Sequence, residues 1–176
     1  MIPFPDKKYQ IIYADPPWNQ TKGGLRKCRP NQGRELDYPV LSLKDIRKII
    51  DSVKVTENHN LFLWTIDKYL IESENLFSDY KLHARIVWDK ENGIAPCFTV
   101  RYSHEYLLWL YKGKHQKISD EYRGKFTTVI REKATVHSRK PNIAREMIDC
   151  FYPNHSRIEL FARQKTEGWD VWGNEV

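Results

Sequence analysis

Asp15, Pro16, Pro17 and Trp18 stand directly behind the apolar run Ile11-Ile12-Tyr13-Ala14, so a buried strand ends in a carboxylate, two prolines and a large ring. Consecutive prolines fix φ and lack an N–H, and each pushes the residue before it out of the α region. The segment therefore can neither continue as a central strand nor turn at once into a helix. It can hold the Asp15 carboxylate and the Asp15 and Pro16 carbonyls as a rigid array of acceptors beside an aromatic ring. A planar ligand bearing an exocyclic amino group suits such an array, because both amino hydrogens need acceptors in its plane.

Elements that must position this array are legible from periodicity. Apolar runs at 10–14, 60–65, 82–88, 105–111, 127–130 and 157–161 read as strands, several of them continuously apolar as strands buried on both faces are. Between them, Ser42 caps a predicted helix reaching Asp51, with Asp45 at its third position and Leu43, Ile46, Ile49 and Ile50 along one face. Residues 67–77 place Leu70, Ile71, Glu74 and Phe77 at helical spacing. Pro141 opens a third helix, whose inward face is Ile143, Ala144, Met147, Ile148 and Phe151. Alternating strands and helices imply an α/β domain with a mostly parallel central sheet and helices on both faces, and in that architecture ligands sit at the carboxyl ends of the strands. Asp15 lies at such an end.

The chain of 176 residues is expected to form a single domain, with no separate recognition domain. Its 29 Lys and Arg against 23 Asp and Glu leave a charge of +6, which suits a polyanionic partner. Two stretches without apolar periodicity concentrate this charge. One, from Asn19 to Asp37, carries Lys22, Arg26, Lys27, Arg29 and Arg34; the other, from Lys112 to Lys125, carries Lys114, Lys117 and Arg123 besides its ends. Both are candidates for a clamp on a nucleic-acid backbone, against the plainer reading of solvated surface loops. Cys28, Cys97 and Cys150 are far apart, and the six histidines show no ligand spacing, so neither a disulfide framework nor a metal site is expected. Without a membrane-length apolar stretch or a leader pattern, the chain reads as cytoplasmic, with no membrane partner.

The motifs also occur in a telling order: Asp15-Pro16-Pro17-Trp18, then Tyr38-Pro39 ahead of a Ser-initiated helix, Phe62-Leu63-Trp64, Lys140-Pro141, Glu159-Leu160-Phe161-Ala162-Arg163 and Gly173-Asn174. Over nearly the whole chain this resembles the family typified by the seventy-kilodalton subunit of eukaryotic mRNA adenosine methyltransferase, whose members include compact bacterial and phage DNA adenine methyltransferases. The resemblance implies a Rossmann-like methyltransferase of permuted order, using S-adenosylmethionine (AdoMet) and no metal to methylate N6 of adenine. It implies that Asp15, Pro16, Pro17 and Trp18 form the catalytic segment, with Asp15 and the Pro16 carbonyl receiving the amino hydrogens. Trp18 and Tyr38 would frame the base, and Glu105 would lie near the acceptor nucleotide. Lys140 would pair with the cofactor carboxylate, Glu159 or Arg163 would reach the ribose hydroxyls, and Phe161, Asn174 and Glu175 would complete the cofactor site. Lys22, Arg26 and Lys27 would contact the nucleic acid.

No glycine-rich GxGxxG turn follows any strand, so the usual nucleotide-fold argument does not apply, and the resemblance implies that side chains hold the cofactor. Each residue also has a plainer reading. Lys140-Pro141 would serve as an ordinary helix start, and Glu105 as a strand-edge carboxylate. Trp64, Trp88 and Trp109 read as core, Trp169 and Trp172 as packing the chain end onto the sheet, and His104 and His137 as structural hydrogen-bonders. A bare catalytic domain favours DNA over RNA as the substrate, acting as a monomer or homodimer. An RNA methyltransferase and a non-catalytic scaffold subunit are the alternatives.

Overall fold

The computed structural model describes residues 3–19, 40–94, 99–135 and 139–176. Among these, seven strands form one sheet in the order β5-β3-β4-β2-β1-β6-β7: β1 (Tyr9–Ala14), β2 (Val55–Thr65), β3 (Lys81–Asp89), β4 (His104–Lys112), β5 (Val129–Arg131), β6 (Arg157–Leu160) and β7 (Asp170–Trp172). Helix α1 (Leu43–Asp51) joins β1 to β2, α2 (Leu70–Leu76) joins β2 to β3, and α3 (Asn142–Phe151) joins β5 to β6. No described helix is long and apolar enough to cross a membrane.

Successive side chains of a strand point to opposite faces, and β1 and β2 are apolar on both. Ile12 and Ala14 join Leu61 and Leu63 beneath Ile46 and Ile50 of α1 and Phe77 behind α2. Ile11 and Tyr13 join Phe62 and Trp64 beneath Ala144, Met147, Ile148 and Phe151 of α3. Each fully buried aliphatic or aromatic side chain contributes about 1.5 to 3 kcal/mol by leaving water, and the central strands need a helix on each face to collect it. Trp64, Trp88 and Trp109 are core residues, and Trp169 and Trp172 are buried with the chain end.

Ser42 caps α1 as expected, accepting from the Asp45 amide at 3.2 Å. The start of α3 is capped in a way that its own sequence does not announce. Pro141 precedes it without a side-chain acceptor, and Glu132, after β5, reaches over to accept from the Asn142 and Ile143 amides at 2.9 and 3.1 Å. A carboxylate there satisfies two orphan donors and complements the helix dipole. Glu132→Ala is expected to cost about 1 kcal/mol, a fall in melting temperature of roughly 2 to 4 °C for a chain of this size. An unchanged melt would show the cap to be idle.

Several expectations are corrected. The span 67–77 is not one helix: a 3-10 turn over Asp67–Tyr69 leads into α2, and Ile71 is 64% exposed while Ser73 is buried against Thr65, so the inward face is rotated from the expected stripe. Strand β7 was not expected at all. The sheet is largely parallel, but β4 runs against both neighbours, β2 and β3. That reversal sends Lys112 to the pole of the sheet opposite Asp15. The basic stretch from Lys112 to Lys125 therefore begins far from the strand ends that matter, and three of its cations stand in surface ion pairs: Lys112 with Asp79 at 2.7 Å, and Lys117 and Arg123 with Asp120 at 2.9 and 2.7 Å. Lys22, Arg26, Lys27 and Tyr38 lie outside the described residues.

Candidate active site

Asp15 leaves the end of β1 between two parallel neighbours, β2 and β6. The Asp-Pro-Pro segment is tied down from behind. The Pro16 carbonyl accepts from the Trp18 amide at 2.9 Å, and the Pro17 carbonyl accepts from Leu41 at 3.2 Å. Trp18 donates its indole N–H to the Trp64 carbonyl at 3.0 Å, stacks on Tyr69 with ring centroids 5.3 Å apart, and is only 4% exposed. With one face on Tyr69 and its N–H used, Trp18 braces the segment that presents Asp15.

In front of Asp15 lies a chain of alternating charges. Lys140 places its Nζ 3.0 Å from Asp15 Oδ1, 2.9 Å from Glu105 Oε2 and 5.5 Å above the Trp64 ring. The other oxygen of Glu105 accepts from Lys90 at 2.6 Å. All four side chains are largely buried, yet their ionisation differs. Burial raises the Asp15 carboxyl above the ordinary aspartate range, against the pull of Lys140. Burial would raise Glu105 too, but Lys140 and Lys90 together outweigh it and hold that carboxyl low. Lys140, opposed by its own burial but flanked by two carboxylates, is held more firmly protonated than a free lysine. Two carboxylates close to one ammonium make Glu105 the fixed counter-charge and Asp15 the more easily protonated member.

Beside this chain opens a cavity of about 270 Å³ between α3 and the ends of β1 and β6, lined among others by Tyr13, Lys140, Arg145, Glu159, Phe161 and Arg163. Asp15 forms part of the same wall. Glu159 takes both contacts of one Arg145 nitrogen, at 2.8 and 2.7 Å, while the Arg145 guanidinium lies 5.5 Å above the Tyr13 ring. Burial pushes the Glu159 carboxyl up despite this pairing. Phe161 adopts φ of 60°, a left-handed conformation costly for a side chain of its size. The strain turns the chain sharply off β6 and into the cavity wall. Next to it the Ala162 amide bonds to the Trp172 carbonyl at 3.1 Å, and Gly173 passes so near that a Cβ would overlap the Ala162 backbone. Only glycine fits that crossing.

The cavity thus gathers Asp15, Lys140, Glu159, Phe161 and Arg163 from the expected set. Glu105 joins through Lys140. Asn174 and Glu175 are exposed and outside the lining, though Glu175 approaches Arg163 at 3.7 Å. Sequence reasoning missed Arg145 and Lys90. Arg145 stands five residues beyond Lys140, between the apolar positions of α3, where an arginine reads as part of the solvent face, and no local signal marks its pairing with Glu159. Among the described residues no group of three His, Cys, Asp or Glu side chains could hold a metal ion.

This donor set fits a zwitterionic nucleoside such as AdoMet. Lys140 offers a cation to a carboxylate, Glu159 can accept from two ribose hydroxyls, and Phe161 offers an apolar wall. The Arg145 Nε is buried without a partner, which leaves a donor for a guest.

Comparison with known proteins agrees with this arrangement. The chain is 31% identical to Type II methyltransferase M.MunI of a Mycoplasma species over 98% of its own length and 79% of that protein. It is 42% identical to the human N(6)-adenine-specific methyltransferase METTL4, over 97% of this chain and 38% of METTL4. It is 29% identical to the N6-methyladenosine RNA methyltransferase MTA1 of Pyricularia oryzae, over 96% of this chain and 47% of MTA1. The chain thus spans under half of the last two. Residues 9–175, almost the entire chain and every element of the cavity, match the MT-A70 family, and the protein belongs to it.

Proposed function

We propose that the protein is an AdoMet-dependent methyltransferase acting on the N6 amino group of adenine in DNA, with its catalytic machinery in one domain and its place of work the cytoplasm. The observation that carries this reading is the Asp15 carboxylate, held rigid by two prolines in the lining of a cavity that also bears Glu159 and, 3.0 Å from Asp15, the Lys140 ammonium. An exocyclic amino nitrogen is a poor nucleophile, since its lone pair is delocalised into the ring. Asp15 and the free lone pair of the Pro16 carbonyl would accept its two hydrogens and so favour a more tetrahedral nitrogen, with its lone pair aimed into the cavity. AdoMet, when bound, supplies the electrophilic methyl group to that nitrogen, which then sheds one proton. Asp15 serves as an acceptor that orients the amine and need not be a strong base. Lys140 and Arg145 would bind the anionic and hydroxylated ends of the cofactor, and Trp18 and Trp64 keep the segment from shifting.

DNA is favoured over RNA because the relative aligned over four-fifths of its own length is a Type II methyltransferase, whereas the RNA methyltransferase MTA1 aligns over about half. The intact Asp15, Lys140 and Glu159 set speaks against a scaffold subunit. Transfer of labelled methyl from AdoMet to single-stranded DNA, duplex DNA and RNA tests the reading, with N6-methyladenine in DNA expected. Product in RNA alone would assign the other substrate. No cofactor binding and no product would return the scaffold.

The charge chain adds a pH prediction. Because burial raises the Asp15 carboxyl and the nearby Glu105 charge adds to the rise, kcat should fall with acid at a pH above the ordinary aspartate value of about 4. Glu105→Gln removes that like charge and leaves Lys140 to Asp15, so the acid limb should move to lower pH. A limb that stays in place would mean that Asp15 does not govern it.

A further inference from the structure

We propose that the rim built from Ile94, Val100, Arg101 and Tyr102, between β3 and β4, together with Arg131 and Lys133 after β5, is the tract that grips the polynucleotide strand flanking the target base. This rests on the nucleic-acid reading above and assigns it a surface distinct from either basic stretch expected from the sequence.

Three of the eight exposed large apolar side chains among the described residues fall within nine positions here: Ile94 fully exposed, Val100 at 69% and Tyr102 at 65%. Each stands at a described end of the connection from β3 to β4, where a strand lying across this pole would cover it. The neighbouring charge identifies the partner. Arg101 contacts only a carbonyl at 3.3 Å in the described hydrogen bonding, Arg131 stands 4.0 Å from Asp89, and Lys133 is exposed. Of the carboxylates nearby, Asp89 accepts from the Glu91 amide and Glu132 caps α3, leaving Glu91 as the remaining one. Exposed cations interleaved with an exposed phenol and aliphatic side chains fit a strand that offers phosphates and base faces in alternation. At the opposite pole, by contrast, Lys112, Lys117 and Arg123 are paired with aspartates.

The rim is also correctly placed and firmly based. Because β4 is reversed, the connection from β3 to β4 lies at the same pole as Asp15. The Lys90 amide bonds to Ser103 at 2.8 Å, Ala134 to the Lys90 carbonyl at 3.0 Å and Glu132 to Asp89 at 3.4 Å, so the two connections share one base. Tyr102 is three residues from Glu105, which reaches Asp15 through Lys140. In the sheet order β5 is four strands from β1, roughly 19 Å at about 4.8 Å per strand. That matches about five to six stacked nucleotides at ~3.4 Å each. The rim therefore meets the flank of the target, on the side of Asp15 away from the cofactor cavity. Tyr102 would stack on a base next to the extruded adenine, and the aliphatic pair would fill the space it leaves.

The test measures anisotropy of labelled deoxy- and ribo-oligonucleotides containing adenine, on the full chain across a salt series, with calorimetry of AdoMet beside it. Neutralising Arg101, Arg131 and Lys133 together to Gln should reduce the slope of log affinity against log salt by about two for a single strand. Tyr102→Ala should weaken binding roughly 5- to 150-fold, the range for one lost base stack, and Tyr102→Phe should restore it. AdoMet affinity should hold in every variant. Unchanged slope and affinity in these variants, while the parent binds oligonucleotide, would overturn the assignment. So would a loss of self-association on Ile94→Ser and Val100→Ser with oligonucleotide affinity intact, which would make the rim a protein contact. A parent that binds AdoMet and no oligonucleotide would instead overturn the nucleic-acid reading itself, and the rim with it.

Discussion

Asp15→Asn is expected to lower kcat for methyl transfer by about 100- to 1,000-fold, the scale for removing one preorganised polar group that faces the reacting atoms, and to leave AdoMet affinity within a few-fold. The amide keeps one acceptor oxygen, but it presents an NH2 where the second carboxylate oxygen stood, so one amino hydrogen of the substrate meets a donor. The fold should not suffer. Burial raises the folded-state pKa of Asp15 despite Lys140. A carboxyl with a raised folded pKa contributes stability at low pH that is lost as pH rises through that pKa. At neutral pH the ionised Asp15 is therefore a cost to the folded state, borne for function, and its neutral replacement should melt no lower than the parent. Activity within tenfold of the parent would remove Asp15 from the reaction. A collapse of the melt would make it structural.

Lys140→Met should be the most destabilising of the substitutions considered, because one ammonium serves two carboxylates. Its removal leaves Asp15 and Glu105 facing a point formerly 3.0 and 2.9 Å from each. Breaking a buried pair costs about 3 to 5 kcal/mol when the remaining charge is uncompensated. Their side chains keep 23% and 13% exposure, and Lys90 remains on Glu105, so about 2 to 3 kcal/mol is expected here. That corresponds to a fall in melting temperature of roughly 4 to 12 °C. The pH dependence identifies the cause. Glu105 has a depressed folded pKa in the parent, so its contribution is present above the unfolded pKa and lost as pH falls through the folded one. The deficit of the variant should be largest near neutrality and shrink with acid, beginning above the ordinary aspartate value of about 4, where Asp15 protonates, and closing once Glu105 is protonated in both proteins. A deficit independent of pH would point to lost packing on Trp64 instead. AdoMet affinity should fall about five- to 150-fold, as for a lost charge-assisted bond of roughly 1 to 3 kcal/mol.

What the sequence revealed and what it hid divide along physical lines. Strands β1, β2 and β4 were found because their buried stretches are apolar on both faces, though β2 starts five residues before the expected 60, and β3 and β6 through apolar residues in alternation, Ile86 with Trp88 and Ile158 with Leu160, signals that lie in the residues themselves. β7 is three residues long and exists through its pairing with β6, so no local pattern announces it. The direction of β4 is likewise invisible to periodicity. A clue was available in the 14 residues between β3 and β4, which carry no helical pattern although a parallel pair needs a crossover. At the site, Asp15, Lys140 and Glu159 were legible from type and position. That Lys140 would face Asp15 and Glu105 was not, since this depends on α3 and β4 both starting at the pole where β1 ends. Arg145 and Glu132 act across elements, one on β6 and the other on the start of α3, and such partnerships are properties of the packed chain.

The reversed β4 has an evolutionary consequence. Parallel strands are joined through helices that belong to the core, so changing their connections disturbs the packing on which the cofactor cavity depends. β3 and β4 pair antiparallel and their connection leaves from the site pole, where added chain length costs only about 0.6 kcal/mol per doubling. Target preference can thus drift by insertion and replacement in this one connection, while β1, α3 and β6 keep the methyl-transfer chemistry constant.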